Sequence, residues 1–303
     1  MDVTRADVTD AAVRGGAAVA PARCHPATPA CLVLILAALA CGRRCPTAAD
    51  RPPGPVASAL IAFAADLGAA PTAIADAWLQ LQNIAARVER RRRGSHADAI
   101  DDLDAVVFGD LGFEREIASD DPRFFTLSSV ISARRGSCLG LSALYLALGE
   151  VLDIPLDGVL LPGHFFVRTR APHPRNVELL RQGEAMPDRW YRTKYGPWPQ
   201  AAASAYGRPV SVSELIAVHW YNAGNHQRAA GDLRAAEADF ARAVADFPTF
   251  AEAQASLGAV RQLRGSLPEA AASYREAARA RADLPGLVRN MALLRQEQQL
   301  DSH

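Results

Sequence analysis

Apolar positions recur at helical spacing in two early stretches of the chain, about Val56 to Leu67 and about Thr72 to Arg93. Gly68 and Gly94 follow them as C-terminal stops. Residues 98 to 135 read as helix and loop, with a turn at Asp120-Asp121-Pro122 and a short helix over Ser128–Ala133. From Cys138 the pattern changes. Leu139 to Leu152 is apolar on every side, the mark of a buried helix, and Asp153-Ile154-Pro155 ends it. Two strand-like runs follow, Gly158–Leu161 and His164–Thr169, and a turn through Ala171-Pro172-His173-Pro174 leads to a third, Asn176–Leu180. The order helix, strand, strand, strand makes this an α+β segment.

The C-terminal third is helical and repeats itself. A shift of 34 residues lays Gly224 on Gly258, Gly231 on Gly265, Ala236 on Ala270, Phe240 on Tyr274 and Ala243 on Ala277. Small residues at helix crossings, an aromatic in the second helix and a 34-residue period resemble tetratricopeptide repeats. Pro248 stands at the usual terminal proline, where the second copy has Ala282. Two copies cover about 217 to 284, and 285 to 299 reads as a capping helix. An isolated array needs three or more copies, so this one is expected to pack on the domain before it.

Composition changes the picture mainly at the N-terminus. The 303 residues are half apolar, with 33 basic and 33 acidic side chains and no net charge. That balance excludes a disordered tail protein and a general nucleic-acid binder. Residues 31 to 40 form an uncharged apolar run too short to span a membrane and of the length of a signal-peptide core, with Arg5, Arg14 and Arg23 before it. Ala38-Leu39-Ala40 fits a cleavage site, and Cys41 directly after it fits a lipidated cysteine. The expected organisation is a leader over 1–40, a linker over 41–55 containing Pro52-Pro53-Gly54-Pro55, a domain over 56–210 and repeats over 217–299. The protein is therefore expected in the cell envelope or periplasm, held to a membrane by a lipid anchor only or, as the alternative, freely secreted; the other reading of the run is a short buried helix. The Arg90–Arg93 run reads as a solvated helix end whose cations complement the helix dipole.

Four of the five cysteines lie in or beside the leader, which leaves Cys138 alone in the body. A thiol nucleophile needs an ionised sulfur, a base and a group that orients the base. Cys138 opens a helix directly after Arg134-Arg135-Gly136-Ser137, so the helix dipole and both arginines favour thiolate, and Gly136 and Gly140 leave room for a substrate. His164 opens a strand 26 residues later, where the chain can fold back over the helix start. Asn176 and Glu178 share one face of the next strand. If the hairpin turns near Ala171, His164 lies about opposite Glu178, the preferred third member; Asn176 is the alternative. His96, His173, His219 and His226 show no metal-ligand spacing, and no phosphate-cradling loop appears, so no metal or other cofactor is implied. His219 and His226 read as surface and packing residues, and Trp190, Tyr191 and Trp198 as packing between domain and repeats, with the lining of a substrate groove as the alternative.

The stretches Arg134-Arg-Gly-Ser-Cys138 with its apolar helix to Gly149, and Gly158-Val-Leu-Leu-Pro-Gly-His164-Phe-Phe-Val-Arg168, resemble the bacterial SirB-type branch of the transglutaminase-like superfamily. The resemblance covers about residues 56 to 284 and extends to the helical tail that the branch commonly carries. It implies a transglutaminase-like, papain-like cysteine core and a Cys138, His164, Glu178 triad, with Glu or Asn where the superfamily usually has Asp. The implied activity is thiol-dependent hydrolysis or acyl transfer at an amide or peptide bond. The rival is an inert fold that, with its repeats, serves as a protein-interaction platform. Either way the partner is a protein or peptide. A redox role for Cys138 lacks a resolving partner, since Cys45 falls in the linker.

Overall fold

Proline opens the first two helices, at a position where its missing N–H satisfies no helical bond. In the computed structural model, which describes residues 51–117, 120–170, 172–198 and 204–300, these are α1 (Pro55–Asp66) and α2 (Pro71–Arg92). The leader, its Cys41 and most of the expected linker lie outside the described residues. Residues 51–54 are held in place rather than free. Arg51 Nη1 donates to the Val151 carbonyl (3.0 Å) and to Asp153 (2.6 Å), and a Cβ on Gly54 would meet the Glu150 carboxylate. Gly68 takes the left-handed conformation expected of a stop (φ 85°), whereas Gly94 does not and only donates to the Arg91 carbonyl. The arginine run is more than a solvated end: Arg91 pairs with buried Asp102 (3.2 Å), and Arg92 donates to the Leu152 carbonyl (3.3 Å).

Asp98 caps α3 (Ala99–Asp104), which widens into a π-helical turn over Ala105–Asp110. Strand β1 (Glu114–Arg115), a 3₁₀ turn (Pro122–Phe124) and α4 (Leu127–Ala133) follow. β2 (Arg135–Gly136) then pairs in parallel with β1. Both strands have two residues, too few to leave a period in the sequence.

Helix α5 (Cys138–Leu152) is the axis of the core, buried along nearly its whole length as its unbroken apolar sequence requires. It packs on a four-stranded antiparallel sheet of order β3 (Leu156–Leu161), β4 (His164–Thr169), β5 (Asn176–Glu178) and β6 (Glu184–Ala185). β5 stops two residues short of the expected Leu180. The Glu178 side chain accepts from the Leu180 amide and turns the chain into a 3₁₀ segment, Leu179–Arg181. The sheet obeys the period of two. Leu160, Phe165, Val167 and Val177 face the main core, and Val159, Leu161 and Phe166 face the other way. That outer face is covered by α6 (Asp188–Tyr195), whose Trp190, Tyr191 and Tyr195 pack on it with Trp198 beyond. These aromatics thus seal the sheet, rather than the junction with the repeats.

Residues 207–210 run back along the edge of β3, with Gly207 N–H donating to Leu160 and Val210 N–H to Gly158 (both 2.9 Å). Ser211 and Glu214 then form a capping box for α7 (Val212–Ala229). α8 (Leu233–Asp246), α9 (Ala251–Leu263), α10 (Leu267–Ala280) and α11 (Leu287–Leu300) complete the tail. The 34-residue period has a packing cause. A Cβ on Gly224 would come 2.7 Å from the Phe240 ring, and one on Gly258 the same distance from Tyr274. The tail is not autonomous: α7 packs on α1 through Trp220 and Phe63, ring centroids 4.8 Å apart. Among the described residues, no helix is long and apolar enough to cross a membrane, and no cluster of His, Cys, Asp or Glu could hold a metal ion.

Candidate active site

Helix α4 ends with Arg134 in the left-handed conformation (φ 50°), which swings the chain into β2 and delivers Ser137 as the N-cap of α5. Ser137 Oγ accepts from the Gly140 N–H (3.3 Å), and its own N–H donates to the Phe124 carbonyl (2.7 Å). Cys138 is therefore the first residue of the helix, half-buried at an end where backbone N–H groups lack helical partners. The glycines beside it do not make room for substrate. A Cβ on Gly140 would fall 2.1 Å from the Phe124 carbonyl oxygen, and one on Gly136 would press on Val130 and Leu141. The two arginines are also engaged elsewhere. Arg134 donates to the Leu111 carbonyl (3.2 Å), while Arg135 pairs with Glu116 (2.8 Å) and lies over the Phe124 ring.

Gly163, at φ 67°, makes the tight turn between β3 and β4 and sets His164 at the start of β4. His164 is 4% exposed and Glu178 1%. The imidazole Nε2 bonds to Glu178 Oε2 at 2.8 Å, which leaves Nδ1 for the thiol. Val167 pairs with Val177 and Arg168 with Asn176, so the register, continued, sets Glu178 across from Phe166. Glu178 is thus two residues along from His164 on the shared face, not directly opposite it. Asn176, at the far end, is bound to other groups: its Oδ1 accepts from Arg168 Nε (2.6 Å), and its Nδ2 donates to Asp188 (2.7 Å) and the Met186 carbonyl (3.0 Å). It does not reach the imidazole.

Burial disfavours a charged His164, yet the adjacent Cys138 sulfur and the Glu178 carboxylate outweigh it and push the imidazole up from 6.5 to about 9. Tyr195 lies flat against the imidazole, centroids 4.2 Å apart and planes within 4°. Tyr191 sits beside Glu178; burial and that carboxylate raise its hydroxyl well above the usual value, although the two make no well-aligned hydrogen bond. Burial and the same carboxylate also raise Tyr195. Neither tyrosine competes as an acid or base at neutral pH; both wall off the imidazole. Tyr195 was not singled out in the sequence. The four-residue spacing of Tyr191 and Tyr195 on one helix face is the signal that could have found it.

The sulfur opens onto a cleft of about 300 Å³. Its near side is Ser137, Cys138 and Leu139 with the β3–β4 turn. Its far side comes from the tail: Val218, Tyr221, Asn222 and Asn225 on α7, and Phe250 and Glu252 at the start of α9. His96 and His173 are exposed and remote from this cleft. His219 is a core residue rather than a surface one, fully buried against Phe63 and Phe125, with Nδ1 bonded to the Leu215 carbonyl (2.9 Å). Burial lowers its titration to about 4, so it stays neutral.

Comparison with known proteins gives one family match: residues 75–216 fit the Transglutaminase-like superfamily. The match spans α2 through the start of α7 and includes Cys138, His164 and Glu178. No curated protein matches the chain in sequence. Among solved structures, it is similar to menin, described as revealing the binding site for Mixed Lineage Leukemia protein, with 11% identity and a TM-score of 0.35. That alignment covers 82% of this chain and 69% of menin, and a likeness so loose carries no argument here.

Proposed function

We propose that the protein is a thiol-dependent acyl-transfer enzyme of amide or peptide bonds, with Cys138 as nucleophile, His164 as acid and base, and Glu178 as the group that orients His164. The observation that carries this reading is the buried 2.8 Å bond between His164 Nε2 and Glu178, with the Cys138 sulfur beside the same imidazole. With the proton held on His164, the sulfur attacks the substrate carbonyl carbon and a C–S bond forms. N–H groups at the start of α5 are placed to receive the oxyanion. As the tetrahedral centre collapses, the C–N bond breaks and the amine leaves with the proton from His164. Water or a second amine then attacks the thioester and gives up a proton to His164; the C–S bond breaks and the thiolate is restored beside the protonated imidazole.

A SirB-type assignment with a tetratricopeptide-type tail is supported by the superfamily match and by Gly224 and Gly258 standing under equivalent rings. Export with a lipid on Cys41 is supported by the apolar run over 31–40. The partner we propose is a protein or peptide. The test is the rate of Cys138 alkylation by iodoacetamide from pH 5 to 10, in the intact protein and in His164→Ala. A coupled pair labels readily at neutral pH, and His164→Ala slows it at pH 6 by about tenfold or more. Equal profiles in the two proteins would make Cys138 structural and the fold a binding platform.

A further inference from the structure

The cleft at Cys138 is closed by the helical tail, and its chemistry differs on the two sides. Val218, Tyr221, Asn222 and Asn225 are spaced i, i+3, i+4 and i+7, so they form one stripe of α7 facing the sulfur. Asn222 donates one Nδ2 hydrogen to the Val218 carbonyl (2.8 Å), which holds its carboxamide in place with an oxygen and a second N–H left over, a neutral group with no charge to offer a substrate. Asn225 is 7% exposed, and its carbonyl oxygen receives only a long 3.5 Å contact from Arg228.

The charges on the cleft wall complete the pattern. Besides Cys138 and His164, the charged side chains lining it are Asp120 and Glu252, and among the described residues no lysine or arginine lines it. The nearest cation behind Glu252 is Arg281, which is taken up by Glu252 (3.3 Å) and Asp283 (3.2 Å) and lies over the Tyr206 ring. Tyr206 also bonds to Glu252, fixing that carboxylate as a rigid part of the wall. A protonated His164 is the one cation on the wall, and Glu178 balances it at 2.8 Å. A carboxylate entering this space would lose water and meet Asp120 and Glu252, with no lysine or arginine lining the cleft to offset them.

We propose that the α7 stripe of Val218, Tyr221, Asn222 and Asn225, together with Asp120 and Glu252, is the specificity wall of the Cys138 site, admitting neutral or cationic acyl substrates and rejecting those that carry a carboxylate beside the reacting bond. The proposal rests on the acyl-transfer reading for its substrates, yet its selectivity can be measured without turnover. At about 300 Å³ the cleft is at the small end of ligand sites, room for a side chain with its flanking backbone rather than a folded surface.

The test compares iodoacetate with iodoacetamide, which differ in charge and little in size, on the full chain, with labelling read at Cys138 by peptide mapping. The acetate-to-acetamide rate ratio, divided by that for free cysteine, is expected to be about tenfold below one. Asn222→Arg, at a half-buried position, is expected to restore it severalfold, and Asn222→Asp to lower it further. A ratio equal to that of free cysteine, or one unmoved by both substitutions in folded protein, would overturn the wall. His164→Ala separates the two proposals. If it leaves both labelling rates unchanged while the charge selectivity persists, the acyl-transfer reading fails and the wall stands. If it slows both reagents but no selectivity exists, the reverse holds.

Discussion

At the scale of single residues, the site turns on why Glu178 and not Asn176 bonds to the imidazole. Strand alternation puts both on one face, which is legible in the sequence, but position along the strand is not. It is set by the register of β5 on β4, with Thr169 N–H donating to the Arg175 carbonyl at the turn, a tertiary outcome that leaves Asn176 beside Arg168. What surrounds Gly140, Arg134 and Arg135 is hidden in the sequence for a related reason. A sequence shows that space or charge is present but not which neighbour takes it, and Phe124, Leu111 and Glu116 do. The Glu178 bond yields a prediction with two arms. Glu178→Ala strands a buried imidazole nitrogen and the Leu180 N–H, and is expected to destabilise the fold by about 1–3 kcal/mol in urea titrations. Glu178→Gln keeps an acceptor but loses the charge that helps hold the proton on His164. It should lose less stability while the His164 titration, followed by NMR of the ring proton, moves down from about 9.

At the scale of elements, the long periodic segments were legible and the short ones were not. α1, α2 and α5 fall within a residue or two of their expected limits, and β4 matches its limits, because each carries many positions of one period. β1, β2 and β6 have two residues each and exist through their partners. The helix pairs were readable from the 34-residue shift because the same contact occurs twice, glycine under an aromatic ring. Two glycines therefore make a discriminating pair. Gly258→Ala pushes a methyl against the buried Tyr274 ring and should destabilise the tail by about 1–3 kcal/mol, with Cys138 labelling by iodoacetamide unchanged. Gly140→Ala would put its methyl 2.1 Å from the Phe124 carbonyl oxygen, backbone that cannot swing aside. It is expected to destabilise more and also to slow Cys138 labelling, because the start of α5 must shift. Urea midpoints and labelling rates on the same samples check both outcomes.

At the scale of the whole molecule, two buried histidines in different places tie stability to pH with opposite sign. His164 has a folded value raised from 6.5 to about 9, so its contribution is fully present below about 6.5 and is lost as pH rises through 9. His219, in the interface that joins α7 to α1, has a folded value lowered to about 4, so its contribution is present above 6.5 and is lost as pH falls toward 4. Partial burial raises both Asp104, half-buried at the Tyr145 hydroxyl, and Asp239 to about 6. Their stabilisation is present below about 3.8 and fades as pH rises through 6, against the trend of His219, and Asp239 is exposed enough that its share is discounted. Between pH 4 and 6.5 these contributions oppose one another, and Glu252, which burial also raises, adds to the carboxylate side. Of these groups only His164 loses its contribution in the alkaline limb of the melting temperature, between about 6.5 and 9. His164→Ala is expected to flatten the alkaline limb and leave the acid one alone. His219→Gln is expected to uncover the carboxylates, so that stability drops as pH rises from 4 to 6. Calorimetric melting at half-unit pH steps on the three proteins tests this. An alkaline limb that His164→Ala does not change would mean that the proton on His164 is not held by the fold.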